Sequence, residues 1–517
     1  MDAVRLHLGD AARAALAQRV VDAGGCHWCA LRSTAPPWAL YGVSDDELRL
    51  LWNCKHAALK SCTLCRGALN ASSLATDFVS AAAGHAVAAA DLEAANVCLT
   101  LPGALAVRHE AFFELAQTSG VSEAALRMMH SIKDALKHML KAELSRRLAG
   151  SAPPSKAPSD EALWRGAIEF SVEYEALACD EFAALPGRYA PSQKKPKGHY
   201  HKRQRKNNDE ASVDQTPVWN NRQVETALES MTNDERASMG RWLAKEVECP
   251  LALSATVKCT RESLWLAGRY RKLSRHMPQS PWYIDGVRKG ISSVDEALTC
   301  AATPLCDCDA VKFQASGRED IDVRMLGRGR PFVVECVNPK RPPFPGDGFV
   351  ESKALLDAFV AAVAAESSAN GTPLEVLEAT ISDKAGGAAM QAGAEVKKKA
   401  YVAVVWSSSV ITEADCLRLA LMKNVNVDQL TPVRVMHTRS VANRVKVVHS
   451  LRLDKLNGHF ATLHMQTSAG TYIKEFVHGD LGRTRPSLAD LLGAEKADIL
   501  QLDVADIEDD ADNADNA

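Results

Sequence analysis

Ser316-Gly-Arg-Glu-Asp-Ile-Asp-Val-Arg-Met-Leu-Gly-Arg-Gly-Arg-Pro-Phe332 is the stretch on which the reading of this 517-residue chain turns. Gly317 opens a turn, and Asp320 follows three residues later. Ile321, Val323 and Met325 then alternate with Asp322 and Arg324, the period-two pattern of a half-buried strand. Gly327, Gly329 and Pro331 are expected to break that strand, and Pro331-Phe-Val-Val-Glu-Cys-Val337 to start another. A carboxylate on a loop at the mouth of a strand can face a substrate while the backbone holds it still. The same residues also fit a hairpin whose Asp and Arg pairs only decorate a solvent face.

Downstream, strands and helices alternate. Val350 to Glu366 reads as an amphipathic helix, Ala400 to Trp406 as a strand, and Thr412 to Met422 as a helix. Val433 to Leu451 offers two strands rich in Arg, Lys and His, and His459 to Met465 a further one. Ser367 to Lys399, with four glycines, reads partly as a tolerated insertion. Such a pattern with extended antiparallel pairings gives an α+β, or mixed α/β, domain on one large and mostly antiparallel sheet. Its start is placed near Gly290, where Ser292-Ser-Val-Asp-Glu-Ala-Leu298 begins a helix with an N-cap, so the expected division is 1–290 and 291–505.

Upstream, Cys26-His-Trp-Cys29 and Cys62-Thr-Leu-Cys65 form two short knuckles about thirty residues apart, flanking an expected helix from Asp45 to Leu59. Two Cys-x2-Cys pairs suit one tetrahedral, four-thiolate zinc site that is closed and therefore structural. His27 and Cys54 are possible substitutes among the ligands. Ala124 to Leu148 reads as a basic helix. Linkers fall near 150–160 and 186–216, and the second contains the run Lys194 to Lys206 with seven Lys and Arg. That run reads as a solvated loop before it reads as a nuclear-localisation or RNA contact. Arg269, Arg271 and Lys272, with Tyr270 among them, follow an expected strand and suit a phosphate-holding patch or an exposed basic helix start.

Composition narrows the class. Hydrophobic residues at 46% and charged residues at 24% are ordinary globular values, and the net charge of -3 does not mark a nucleic-acid binder by itself. No apolar run reaches membrane-spanning length, and no secretory signal is read at the start, so an intracellular protein is expected. Fourteen cysteines mostly standing singly argue against a disulfide framework; Cys98, Cys179, Cys249, Cys259, Cys336 and Cys416 are taken as small core residues. Cys306-Asp-Cys308 has no second pair nearby to complete a metal site. The acidic stretch 506–517 reads as a disordered tail.

Gly317-Arg-x-Asp320 resembles the motif that carries the essential aspartate of RNA pseudouridine synthases, and the longer string through Phe332 resembles one branch of them, tRNA pseudouridine synthase family ten. Lys399-Ala-Tyr401 is similar to the second motif, whose tyrosine lies against the target base, and Gly470-Thr-Tyr-Ile-Lys474 to the third, whose basic residue faces the catalytic carboxylate. The resemblance therefore implies Asp320, Tyr401 and Lys474 as catalytic residues, with Arg318 and Tyr472 beside them on the substrate. Gly268-Arg-Tyr270 and Pro278-Gln-x-Pro-Trp282 also match, which assigns Arg269, Arg271 and Lys272 to substrate binding. It further implies a pseudouridine synthase fold, a zinc-containing THUMP-type N-terminal domain that grips tRNA, action at position 54 or 55 of the T-arm, and no organic cofactor. A monomer in the nucleus or cytoplasm is expected.

Converting uridine to pseudouridine breaks N1–C1′, turns the base and rejoins it through C5. Asp320 could act as nucleophile or as base toward the sugar. It must be ionised in a site that excludes water, where burial raises its pKa and Lys474 offsets that. The uridine must leave its stack, and the face of Tyr401 returns about 1–3 kcal/mol of the cost; Tyr401 also fits plain strand core. Asp322, expected on the same strand face as Asp320, could suggest an acid–base pair, but glycosidase carboxylates flank the scissile bond from both sides. The alternative to an enzyme is a non-catalytic RNA-binding factor that keeps the fold.

Overall fold

The computed structural model describes residues 2–52, 62–83, 85, 95–118, 120–148, 168–176, 181–190, 219–245, 253–340, 349–393, 397–437 and 439–508. The run 194–206, the linker near 150–160, Cys54, Cys179, Cys249 and most of the acidic stretch lie outside the described residues. Two compact units emerge, the first ending at Thr260 and the second beginning at Arg261. Among the described residues no helix is long and apolar enough to cross a membrane.

The first unit packs helices around a three-stranded sheet, β1 (Asn96–Thr100), β2 (Ile168–Ala176) and β3 (Leu253–Arg261), in that order. Strands β1 and β2 run parallel, and alternate residues of β1 face the core while Cys98 points to the exposed side, not inward as expected. Phe78, Phe112 and Phe170 are fully buried, with the Phe78 and Phe170 rings 4.7 Å apart. The helix expected from Asp45 is described only over Asp45–Arg49, started by a capping box between Ser44 and Glu47. The basic helix is two helices, Glu123–Arg127 and Ile132–Leu148, because Ser131 caps a fresh start through the Asp134 amide.

The second unit is built on ten strands: β4 (Leu264–Lys272), β7 (Ala310–Ala315), β8 (Arg324–Val337), β9 (Leu374–Ser382), β10 (Lys399–Ser407), β11 (Lys423–Leu430), β12 (Asn443–Lys455), β13 (Phe460–Thr467), β14 (Thr484–Arg485) and β15 (Ala497–Ile507). A separate hairpin joins β5 (Trp282–Ile284) to β6 (Val287–Lys289). The sheet order is β14-β11-β12-β13-β10-β15-β8-β4-β9, with β7 also on β8. The pairings are antiparallel except at β15 and β8, which run parallel over only two registered pairs, Asp503 with Arg324 and Val504 with Met325. Two antiparallel half-sheets therefore meet at one short seam. Helices Val294–Cys306 and Phe349–Ala369 pack together and against β7, β8 and β9.

Several sequence expectations are corrected here. The unit begins at Arg261 rather than near Gly290, because β4 pairs with β8 and β9 at the heart of this sheet while the similar-looking β3 joins the other one. Residues 367–399 are not an inserted loop, since β9 closes the sheet edge and Lys384–Gly393 is a helix. Between β11 and β12, Val433–Val435 is a short 3-10 turn, so the stretch from Val433 to Leu451 holds one strand and a loop rather than two strands. Strand β15 carries on through Asp506 and Ile507, so the acidic tail cannot start at Asp506.

Candidate active site

The decisive stretch folds differently from its period. Residues 316–323 form a turn-rich loop, and the strand starts at Arg324 and continues unbroken to Val337. Gly327 and Gly329 take positive φ values of 56° and 78° and lie against the Ala505 and Tyr270 carbonyls, so they let neighbouring backbone close in instead of ending the strand. Asp320 and Asp322 accordingly lie on a loop beside the seam, not on one strand face. Arg324 binds both oxygens of Asp503 at 3.0 and 2.6 Å, and Arg275 joins them at 2.7 Å, which pins the seam where β8 begins.

Two cations address one oxygen of Asp320. Lys474 Nζ lies 3.2 Å and Arg434 Nη1 3.4 Å from its Oδ2. Lys474 stands in the first turn of the Ile473–His478 helix, whose entry is fixed by Gln429, which donates to the Tyr472 carbonyl and accepts from its amide. Arg434 is aimed by Glu475, buried and 2.7 Å from its Nε. Lys474 also donates to both oxygens of Asp322 at 2.9 Å, a closer hold than on Asp320. Burial alone pushes the Asp322 carboxyl up, but the hydrogen bond and charge of Lys474 outweigh it and keep it below the usual range. Asp320 keeps 42% of its side chain exposed, where a water-excluding site was expected.

Beneath the loop lies a buried polar floor. Glu319, the residue before Asp320, is 4% exposed; it accepts from Arg330 Nε at 2.7 Å and from the Tyr270 hydroxyl at 2.9 Å. Arg330 also donates to the Ser316 carbonyl, and Gln279 donates to the Gly317 carbonyl and the Tyr270 hydroxyl. Lys272, with no exposed surface, donates to the carbonyls of Met277, Asp320 and Ile321 at 2.7, 2.9 and 3.1 Å. Burial pushes its ammonium down to about 8. Arg275 holds the Asp322 carbonyl. A paired buried charge network of this kind fixes geometry more than it adds stability.

A cavity of about 1470 Å³ opens over this loop. That exceeds the roughly 300–1,000 Å³ of small-molecule pockets and suits a segment of a polymer. Arg318, Asp320, Tyr401, Tyr472 and Lys474 line it together, as the motifs implied. Tyr401 is half-buried against the core and presents itself to the cavity; burial pushes its phenol up to about 12, so the hydroxyl stays neutral. Arg269, Arg271 and Lys272 do not line it. They lie within β4: Arg269 clasps the Arg328 and Gly329 carbonyls, Arg271 the Gly327 carbonyl, and Lys272 is sealed in the floor. The basic patch expected of these three is a set of braces for the loop and the seam. Arg434 escaped the sequence reading, and Glu319 and Arg330 drew no role there although they lie in the decisive stretch. Arg275 belonged to the run expected to hold phosphates and instead braces the seam. The Arg-rich character of 433–451 was the trace of Arg434.

In the first unit, the sulfurs of Cys26, Cys29, Cys62 and Cys65 all lie within 4.8 Å of one another and are buried. Cys26 and Cys65 are 3.7 Å apart, and Cys29 and Cys62 3.8 Å. Four thiolates bound tetrahedrally to one zinc at about 2.3 Å lie about 3.8 Å apart, so the set fits such an ion. Backbone amides of Cys26 and Cys65 point at the Cys62 sulfur. Arg32, fully buried, keeps Nε and Nη2 without acceptors and faces the charge of Cys29, Cys65 and Cys62, which suits a thiolate-rich site. His27 is not a ligand candidate, since its ring is taken by Asp45 at 2.5 Å.

Fold and site together give a large sheet parted at one seam, with a loop aspartate there held by a basic residue from a helix start, the arrangement that the resemblance to pseudouridine synthases implied. Residues 265–508 match the family described as Pus10, C-terminal. The mouse tRNA pseudouridine synthase Pus10 is 40% identical over 252 residues, 49% of this chain and 46% of that protein. The Pus10 of Thermofilum pendens is 34% identical over 308 residues, 57% of this chain and 66% of that protein. The chain spans about half the length of the vertebrate relatives it matches. A crystal structure of a Cbf5-Nop10-Gar1 complex shares 14% identity over 46% of this chain and 48% of that one, and its TM-score of 0.26 makes the backbone likeness slight.

Proposed function

We propose that the chain isomerises uridine to pseudouridine in tRNA, with Asp320 as the reacting carboxylate. The observation that carries this reading is the pairing of Asp320 Oδ2 with Lys474 and Arg434 at a polymer-sized cavity that also presents Tyr401. Two cations balance the charge of the carboxylate and fix one oxygen, and the buried floor fixes its backbone. Tyr401 offers a face to the turned base. The exposed side chains of His437 and Arg439 at the cavity suit the phosphates on either side. Every residue of the site belongs to one unit of one chain, which supports action as a monomer.

The relatives' names support tRNA as substrate, and the motif resemblance supports the T-arm, position 54 or 55. Under the same reading the first unit is a THUMP-type module gripping tRNA, its four cysteines hold a structural zinc, and the protein works in the nucleus or cytoplasm. One experiment tests the core of this. An unmodified tRNA transcript is incubated with the pure protein, and pseudouridine is mapped by carbodiimide-dependent stops. Product at 54 or 55, lost in Asp320→Asn, is expected; tRNA binding without any product would favour the non-catalytic factor.

A further inference from the structure

Two lysines are buried near the catalytic loop, and they are treated differently. Lys272 gives its protons to three carbonyls, at 2.7, 2.9 and 3.1 Å. Lys399 is 8% exposed, yet among the described residues its ammonium makes no hydrogen bond and no ion pair. An uncompensated buried ammonium is costly, and such groups are normally paired. The one carboxylate close to its charge, Glu319, is already taken by Arg330 and Tyr270, while Arg330 on β8 and Lys446 on β12 oppose it. Its Nζ lies beside Gly317, three residues before Asp320, where an added Cβ would stand 2.9 Å from it. It opens on the cavity, at the start of β10 and two residues before Tyr401, so the two side chains share one face of the strand.

We propose that Lys399 is a further catalytic residue: it donates a hydrogen bond to a carbonyl oxygen of the uracil turned into the cavity and stabilises the charge on the detached ring. This rests on the pseudouridine synthase reading. When N1–C1′ breaks, the bonding pair stays with the base, and its negative charge spreads onto the ring carbonyl oxygens. Lys399 keeps its proton throughout. C1′ is left to Asp320, and rejoining through C5 releases the C5 proton while N1 gains one, so the net change is an isomerisation. A fixed cation aimed where charge develops acts at the transition state and hardly at all on ground-state binding. The exposed His437 and Arg439 are the groups that suit backbone phosphates; Lys399, buried two residues before Tyr401, is placed for the ring.

The test compares wild type, Lys399→Met and Lys399→Ala on an unmodified tRNA transcript, with single-turnover rate at saturating enzyme and affinity by filter binding. The expected result is a rate loss of roughly 100-fold or more in Lys399→Met with affinity unchanged within about twofold. Added ethylammonium should restore part of the Lys399→Ala rate, which a folding defect would not allow. An undiminished Lys399→Met rate overturns the inference while leaving the pseudouridine reading intact. So does a weakened affinity whose rate recovers at saturation, since that marks a phosphate holder. A wild-type chain that forms no pseudouridine overturns that reading, and this inference with it.

Discussion

Lys474 serves two carboxylates, and the division of its hydrogen bonds sets how each residue should respond to change. Asp320→Asn removes the carboxylate proposed to react but leaves the shape of the loop, so turnover should fall by roughly 100- to 10,000-fold or more while tRNA affinity and melting temperature stay near wild type. A filter-binding assay beside the product assay checks both. Asp322→Asn loosens the closest hold on Lys474, at 2.9 Å, without touching the reacting group, so a rate loss of only a few fold is expected. If Asp322→Asn were the silent enzyme and Asp320→Asn the active one, the assignment would be reversed. The buried lysines predict an alkaline limb as well. Lys272 and Lys399 are both pushed down to about 8 by burial, so the rate should fall as pH rises through that value; a flat profile from pH 7 to 10 would remove the assignment. Stability moves the other way. The folded state releases these protons before the unfolded chain does, so between about pH 8 and 10 their contribution to stability rises with pH, and the difference in melting against a double Met variant should show it.

The loop and the strand behind it form one element whose conformation depends on residues that a period count treats as breaks. Gly317 has φ of 90°, and a methyl group there would stand 2.9 Å from both Arg330 Nη1 and Lys399 Nζ. Gly317→Ala should therefore shift Asp320 and cut turnover while costing about 1–3 kcal/mol in thermal unfolding. Arg330→Gln would leave Glu319 sealed without its cation, and a loss of about 3–5 kcal/mol is expected by the same measurement. Sequence order made Asp320, Tyr401 and Lys474 legible, because each lies in a motif of fixed local spacing. It misplaced the start of β8, since Ile321 and Val323 alternate like a strand although they pack from a turn. It also missed Arg434 and gave Arg275 to phosphates, since the roles of both arise only when segments far apart in sequence are brought to one seam. Arg269 and Arg271 looked like a phosphate patch because a run of cations carries no mark of whether carbonyls or solvent will meet it.

At the scale of the molecule there are two units with separate cores, and the boundary at Thr260 was hidden because β3 and β4 read alike yet belong to different sheets. The cysteine cluster lies within the core of the first unit, so a metal held there would be coupled to the fold. Metal analysis of the purified chain should find one zinc per molecule, and Cys62→Ser should destabilise the first unit. Turnover at saturating tRNA should survive that change, because no residue lining the catalytic cavity belongs to this unit; a variant that melted as wild type would discard the site.

The seam carries a consequence for synthesis on the ribosome. Strand β8 is made early, but the partner that fixes its first residues, β15, is the last strand of the sheet to be translated, about 180 residues later. Until residues 503–507 have emerged, Arg324 and Arg328 lack the carboxylates that hold them and the wall of Leu502 and Val504 is missing from the cavity. Nascent chains therefore carry Asp320 without a finished site around it. Completion of the site is tied to completion of the sheet, so a message truncated anywhere ahead of β15 yields a chain whose cavity beside Asp320 lacks one wall.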